Sequence, residues 1–400
     1  MNDFDSLNEF PSFNFSKAIS KANLKSNIPL IKITGSNGKS VTSSILSNIY
    51  VHNDYKVCSL YHLYVTAPYK NIAFNNESIS LEEFNSYLER YKKIISKYKL
   101  SKWEAVSLIF FAFVKEMNPD LVIVEFDETY CQVESYLDEE NEVLSILTSL
   151  SLDHTEELGS TLSLIASSYC LNFARESKLL CCKLDDDTKK VVFDLTKDND
   201  SSFYEVDSYF SPHYNEKGNL VFSYRPFKEL EIASEYLFYV EDACLAIEAS
   251  KILSDKFPLK KEKIEEALLN LIDIDEGKRI KENIYLFSCS NLEAFTLLSK
   301  SFSIISKGNP FHIIVSLHSD KNLSSILPLL AINTSFITFT YASSLCRDEI
   351  GYSLYLDDFP YVKDPIEAVK QIKSKYPDDI IIVCGCREIV ELMENEAKRR

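Results

Sequence analysis

The chain has 400 residues and a formal net charge of −17, with 43 Lys and Arg against 60 Asp and Glu. Charged residues at 26% and hydrophobic residues at 46% are ordinary for a globular protein and exclude a disordered, collagenous or coiled-coil chain. The acidic balance argues against general nucleic-acid binding, which depends on Lys and Arg displacing counterions from phosphates.

The most apolar stretch, residues 105–114, is about half of the roughly 20 residues that a membrane helix needs. Residues 1–15 are acidic and polar and do not read as a signal peptide. The expectation is a cytoplasmic protein with neither membrane nor nucleic acid as partner. Of the ten Cys, neither Cys181-Cys182 nor the pair Cys384, Cys386 has zinc-site spacing, so the cysteines read as buried free thiols. Glycine stands at 8 of 400 residues, against a usual share of about 7%. A chain so poor in Gly keeps it where the backbone needs it.

In chain order, residues 29–34 read as a short buried strand, 35–40 as a turn and 41–50 as a helix with apolar Val41, Ile45, Leu46 and Ile49. Residues 82–98 form a charged amphipathic helix and 103–117 a more buried one. Asn118-Pro119-Asp120 breaks the pattern. Residues 121–126 are a strand apolar on both faces, as in a parallel sheet covered by helices. Residues 143–149 form another strand, 161–175 a helix, and 178–182 a short strand. The aromatic, turn-rich stretch 201–239 suggests a small antiparallel section, followed by helices at 241–253 and 259–272. Beyond the acidic turn 273–278, strands and helices alternate again: 284–287, 291–305, 311–317, 323–331, 336–341, 365–376 and 380–384. The expected fold is α/β. A large N-terminal P-loop-type domain with a mostly parallel sheet spans residues 1–277, and a smaller Rossmann-like α/β domain spans 278–400.

Thr34-Gly35-Ser36-Asn37-Gly38-Lys39-Ser40 lies between a predicted strand and a predicted helix, the context that makes a phosphate loop credible. Gly35 and Gly38 let the backbone curl so that amides, including those of Ser36 and Asn37, face one anion, and the following helix adds its positive end. Lys39 can reach the outer phosphates as a point charge, and the Ser40 hydroxyl can ligate Mg2+. Two residues, rather than four, separate its glycines. Glu125 closes an apolar strand, where an ionised carboxylate is costly unless paired or metal-bound, and it stands at the strand end that faces ligands in open α/β sheets. His52, His62, His213, His312 and His318 belong to no motif and read as surface or packing residues.

The order of these segments resembles the Mur ligase superfamily, and within it folylpolyglutamate synthase/dihydrofolate synthase. Gly35-Ser36-Asn37-Gly38-Lys39-Ser40 is similar to the family's phosphate loop. Thr66-Ala67-Pro68-Tyr69 and Asn76-Glu77-Ser78-Ile79-Ser80 resemble the two family segments that follow it. Residues 118–125 resemble the family strand ending in Glu. Thr148-Ser149-Leu150-Ser151-Leu152-Asp153-His154, continuing to Gly159, resembles the family's T-x-I-x-x-D-H-x-x-x-L-G. In the second half, Glu276-Gly277-Lys278-Arg279-Ile280 resembles the linker with a nucleotide-contacting Arg, taken here as Arg279. Ser319-Asp320-Lys321-Asn322 resembles the family's D-K-D.

The resemblance implies a monomeric, ADP-forming ligase that uses ATP and Mg2+. It would join an amino acid, glutamate in the nearest family, to a carboxylate substrate, a folate in that family, through an acyl phosphate. Lys39, Glu125 and His154 would be catalytic. Ser40, Glu125 and His154 would hold metal, and the loop with Arg279 would hold the nucleotide. Several family positions are changed. Phe126 to Gln132 lacks the glycines of the family loop. Tyr169 stands where the family has a carbamylated Lys, Ala67 where it has a Ser ligand, and Phe287 and Ser290 where it has Asp and His. The alternative is a diverged or non-catalytic ATP-binding descendant with a different substrate or a scaffold role.

Overall fold

The computed structural model describes residues 4, 6–8, 11–12, 14–62, 67–126, 141–171, 173–216, 219–234, 236–271, 278–281, 283–334 and 336–398. The chain divides into two compact units, Met1–Ser234 with Tyr239–Ile272, and Glu235–Phe238 with Asp273–Arg400. The expected linker residues Glu276 and Gly277 lie outside the described residues, as do residues 127–140.

The first unit is built on an eight-stranded sheet. Its strands are β1 (Leu30–Thr34), β2 (Val57–Leu60), β3 (Ile72–Phe74), β4 (Glu77–Ser78), β5 (Leu121–Glu125), β6 (Glu142–Leu147), β7 (Lys178–Cys181) and β8 (Ser202–Glu205). They are ordered β4-β3-β2-β5-β1-β6-β7-β8. Six are parallel; β3 and β4 add an antiparallel hairpin at one edge. Every residue of β1 and β5 is buried, which accounts for the apolar run of β5; in β1 the buried run includes Lys32, which pairs with Glu142 of β6. After β1 the chain passes to β2 on one side, and after β5 it crosses to β6 on the other. The C-terminal ends of β1, β5 and β6 therefore lie side by side at a reversal of winding, the usual place for a ligand crevice.

Helices cover the sheet. Leu81–Tyr98 and Lys102–Met117 each start with a complete capping box, Ser80 with Glu83 and Ser101 with Glu104, which satisfies two otherwise orphaned amides reciprocally. The second of these helices is buried from Trp103 to Val114 and belongs to an extensive core cluster with Phe84, Val122 and Val124. Lys39–His52 is buried from Ser40 to Tyr50. Its Asn48 side chain donates to the carbonyls of Ala267 at 2.7 Å and Asn270 at 2.8 Å. That bond ties it to the end of helix Lys261–Leu269.

Three readings change in detail. The helix expected over 161–175 ends at Cys170, because Phe173 and Ala174 turn into the core and the Ala174 amide donates to Glu142 at 3.1 Å. The antiparallel section is narrower than 201–239. It comprises β9 (Phe210–Tyr214), β10 (Leu220–Tyr224) and β11 (Phe227–Ile232), whereas β8 pairs in parallel with β7. The hairpin β3–β4, which the sequence reading passed over, turns on Asn75 and Asn76, both at positive φ (47° and 72°), a conformation Asn tolerates.

The second unit holds a five-stranded sheet of β12 (Lys278–Lys281), β13 (Ile284–Ser288), β14 (Phe311–Ser316), β15 (Ile337–Phe339) and β16 (Ile380–Gly385). The order is β12-β13-β16-β14-β15, with β12 antiparallel and the rest parallel. Helices Leu292–Ser306, Leu323–Ala331, Pro365–Lys375 and Arg387–Lys398 accompany it. Among the described residues no helix is long and apolar enough to cross a membrane.

Candidate active site

The loop Gly35–Ser40 leaves β1 and runs into the helix that starts at Lys39. The turn after β6 holds it from behind. The Ser36 amide donates to the Ser149 carbonyl at 2.8 Å and the Asn37 amide to Ser149 Oγ at 3.0 Å. Thr148 Oγ1 donates to the Asn37 carbonyl at 2.6 Å, and the Ser151 amide donates to Ser36 Oγ at 3.0 Å. The loop is thus curled by the protein's own bonds. The amides of Ser36 and Asn37, expected to face the anion, are turned to Ser149. The first amides of the Lys39 helix have no acceptors within the helix, so its amino end carries the positive end of the helix dipole. Lys39 Nζ bends back to donate to the Gly35 carbonyl at 2.7 Å.

Gly38 has φ +81°, and a Cβ there would lie 2.2 Å from Asp242 Oδ1. Only glycine meets both constraints. Asp242 is buried on helix Phe238–Ile252 and accepts from Thr42 Oγ1 at 3.2 Å. A carboxylate packed beside the first turn of the loop helix is favourably placed relative to the helix dipole. The sequence reading did not single out Asp242, Thr148 or Ser149 as site residues. The last two lie in the stretch resembling T-x-I-x-x-D-H, but Asp242 carries no motif.

Glu125 ends β5 fully buried. Its Oε2 accepts from Ser40 Oγ at 3.0 Å and from the His62 amide at 2.9 Å. The neighbouring Tyr61 phenol is pushed up by burial and then by the Glu125 charge. Two hard oxygen donors, a hydroxyl and a carboxylate, so meet at the mouth of the loop. That donor set fits a small oxygen-seeking cation such as Mg2+.

The remaining predicted residues are placed as follows. His154 caps the short helix Thr155–Leu158 at positive φ (47°). Its Nδ1 lies 3.5 Å from Glu157, its Nε2 lies 4.0 Å from Asp153, and its amide donates to Asp153 Oδ1 at 3.0 Å. These contacts belong to its own turn. Tyr169 is buried in an apolar cluster with Leu147, Ile165 and Phe173. Ala67 begins the short helical turn Pro68–Asn71, while Thr66 lies outside the described residues. In the second unit, Arg279 sits in β12 opposite Tyr285, its guanidinium 5.6 Å from the centre of that ring. Lys321 pairs with Asp320 at 3.3 Å. Phe287 is buried in β13 against Tyr236.

No protein-family model and no curated protein matches the sequence. Solved structures do match it, over nearly its whole length. Folylpolyglutamate synthase from Mycobacterium tuberculosis complexed with ADP superposes with a TM-score of 0.89 at 15% identity, covering 100% of this chain and 97% of that one. The enzyme from Thermotoga maritima gives 0.82 at 19% identity over 99% and 95%. A complex of folylpolyglutamate synthase with AMPPCP and folate gives 0.81 at 15% identity over 96% and 94%. The chain therefore has the folylpolyglutamate synthase fold, as the sequence resemblance implied.

Proposed function

We propose that the protein is an ATP-dependent ligase that joins an amino acid to a carboxylate substrate, with glutamate and a folate as the first pair to try. The observation that carries this reading is the meeting of the curled Gly35–Ser40 loop with Glu125 at the adjoining ends of β1 and β5. The likeness to enzymes solved with ADP, AMPPCP and folate supports it.

In this reading the substrate carboxylate attacks the γ-phosphorus of ATP and ADP leaves. The amine of the incoming amino acid then attacks the acyl carbon, and the tetrahedral intermediate collapses to an amide and phosphate. The protein acts mainly by positioning and charge neutralisation. Lys39 and the amino end of its helix balance the phosphate charge. Ser40 and Glu125 are the residues that would hold Mg2+, which neutralises phosphate oxygens when bound. His154 and Arg279 are assigned by resemblance alone, to a second cation and to the nucleotide.

One observation favours a second reading, a descendant that binds ATP but has lost or changed its chemistry. Tyr169, aligned with the family's carbamylated Lys, is packed in an apolar core. ADP release from purified protein, with and without reduced folate and glutamate, separates the readings. Folate-dependent ADP formation with a product one glutamate heavier supports the ligase. Tight MgATP binding without turnover on any carboxylate supports the descendant. If wild type and Lys39→Ala bind MgATP equally, the phosphate-loop assignment fails.

A further inference from the structure

Three metal-ligating side chains converge in the second unit, at the C-terminal ends of β14 and β16. One ring nitrogen of His318 and the sulfurs of Cys346 and Cys386 all lie within 4.8 Å of one another. It is the sole such cluster of three or more His, Cys, Asp or Glu ligand atoms among the described residues. The two sulfurs are 3.3 Å apart. Both oxygens of Glu388 stand 3.1 Å from His318 Nε2, and the same carboxylate accepts from Ser343 Oγ at 3.1 Å. Both cysteines are buried and the imidazole is partly so.

The backbone fixes the three positions independently of the side chains. His318 and Cys346 face each other across an isolated antiparallel bridge. The Ser319 amide donates to Leu345 O at 2.9 Å and the Arg347 amide to Leu317 O at 2.8 Å. The Cys386 amide donates to Ser316 O at 2.8 Å. Gly385, at φ +125°, lets β16 press this close, since a Cβ there would stand 1.9 Å from Ser316 O.

We propose that His318, Cys346 and Cys386, with Glu388 beside them, form a binding site for one soft divalent cation of the Zn2+ type. Two thiols, an imidazole and a carboxylate are the ligand types that tetrahedral zinc takes. A tetrahedral ion holding both sulfurs at about 2.3 Å would set them roughly 3.8 Å apart, so the thiols need to part by only about half an ångström. The ion replaces protons that now link these groups. Each cysteine gives up its S–H proton to solvent on binding, and the imidazole binds neutral. The site would bind together the ends of β14 and β16 and the turn carrying Cys346. It lies in the second unit and does not depend on the ligase reading.

The test uses the full chain, kept reduced. After reconstitution with Zn2+ and removal of excess, elemental analysis should find one equivalent. With Co2+ in place of Zn2+, the protein should show a thiolate-to-metal charge-transfer band and the intense visible bands of a tetrahedral site. Cys346→Ser and Cys386→Ser should each lose the charge-transfer intensity in part and bind zinc more weakly, while Cys182→Ser, in the first unit, should change nothing. The wild-type measurement stands even where a variant folds poorly. Substoichiometric zinc after reconstitution, a Co2+ spectrum without thiolate charge transfer, or a Cys346–Cys386 disulfide that survives the reductant would each overturn the proposal.

Discussion

The Ser40 hydroxyl donates to the Glu125 carboxylate at 3.0 Å across 85 positions of sequence, joining the first turn of the loop helix to the end of the neighbouring strand. Glu125→Gln keeps the volume and an oxygen that can accept from Ser40 and the His62 amide, but removes the charge. The variant should fold as wild type. If the pair holds Mg2+, the concentration of free Mg2+ needed for half-maximal ADP formation should rise at least about tenfold, the scale that even outer-shell partners of a metal site command. A Mg2+ titration of both enzymes checks this; an unchanged requirement makes Glu125 a structural residue.

Gly38 and Asp242 give a sharper steric test. An alanine at position 38 would need φ near +81° and would place its Cβ 2.2 Å from the Asp242 carboxylate. The backbone strain alone costs about 1–3 kcal/mol, and the clash must be relieved by moving either the loop or helix Phe238–Ile252. Gly38→Ala should lower Tm and weaken MgATP binding. Gly38→Ala with Asp242→Ala should recover part of both losses, because the clash is gone and the strain remains. Thermal melts and calorimetry on the single and double variants read this directly, and no recovery would mean that the carboxylate is not the obstacle.

Much of this arrangement was legible beforehand, and the reason is local. Strand, glycine turn and helix around Gly35–Ser40 are encoded in one continuous stretch, residues 29–50, and the apolar run of β5 announces a buried parallel strand that Glu125 terminates. Asp242 was not legible. Its partner Thr42 is 200 positions away, and nothing in the helical pattern of 238–252 sets this acid apart. The same holds for the sulfur pair. Cys346 and Cys386 are 40 positions apart and meet only because β14 lies between β15 and β16 in the sheet. Motif spacing detects ligands on one hairpin or helix; ligands gathered by sheet order leave no such spacing. His318, read from sequence as a surface or packing residue, is part of that gathering.

A buried pair elsewhere in the first unit bears on stability. Lys32 on β1 and Glu142 on β6 meet at 2.7 Å with both side chains almost fully buried. The Glu142 carboxylate also accepts from Ser145 Oγ and the Ala174 amide. Removing one partner leaves a charge in the core, a loss of about 3–5 kcal/mol. Lys32→Met should therefore destabilise strongly in denaturant unfolding. Lys32→Met with Glu142→Gln should regain much of the loss, since an amide can keep the Ala174 bond without a buried charge. A double variant no better than the single one would show that packing, not charge, sets the cost.

The His318–Glu388 pair sets a pH dependence in the metal-free protein. The hydrogen bond to Glu388 raises the His318 pKa against the opposing effect of burial, and Glu388, Cys346 and Asp320 all add in the same direction. Burial pushes the Glu388 carboxyl up, but hydrogen bonds from His318 and its own helix amide, the His318 charge and the Cys386 thiol outweigh it and hold it at about 2. A histidine raised on folding contributes stability that is complete below its unfolded pKa of about 6.5 and disappears as pH rises through the folded value. A carboxyl lowered on folding contributes stability that is complete above its unfolded pKa, near 4.3, and is lost as pH falls toward 2. The pair therefore stabilises most between about pH 4.5 and 6.5. With a chelator present, the Tm difference between wild type and His318→Gln should be largest in that window and shrink on both sides of it. Cys346 and Cys386 also face the imidazole, so the titration is repeated in Cys346→Ser to separate thiol ionisation from the histidine. A Tm difference that stays flat from pH 5 to pH 9 would show that His318 contributes only by packing.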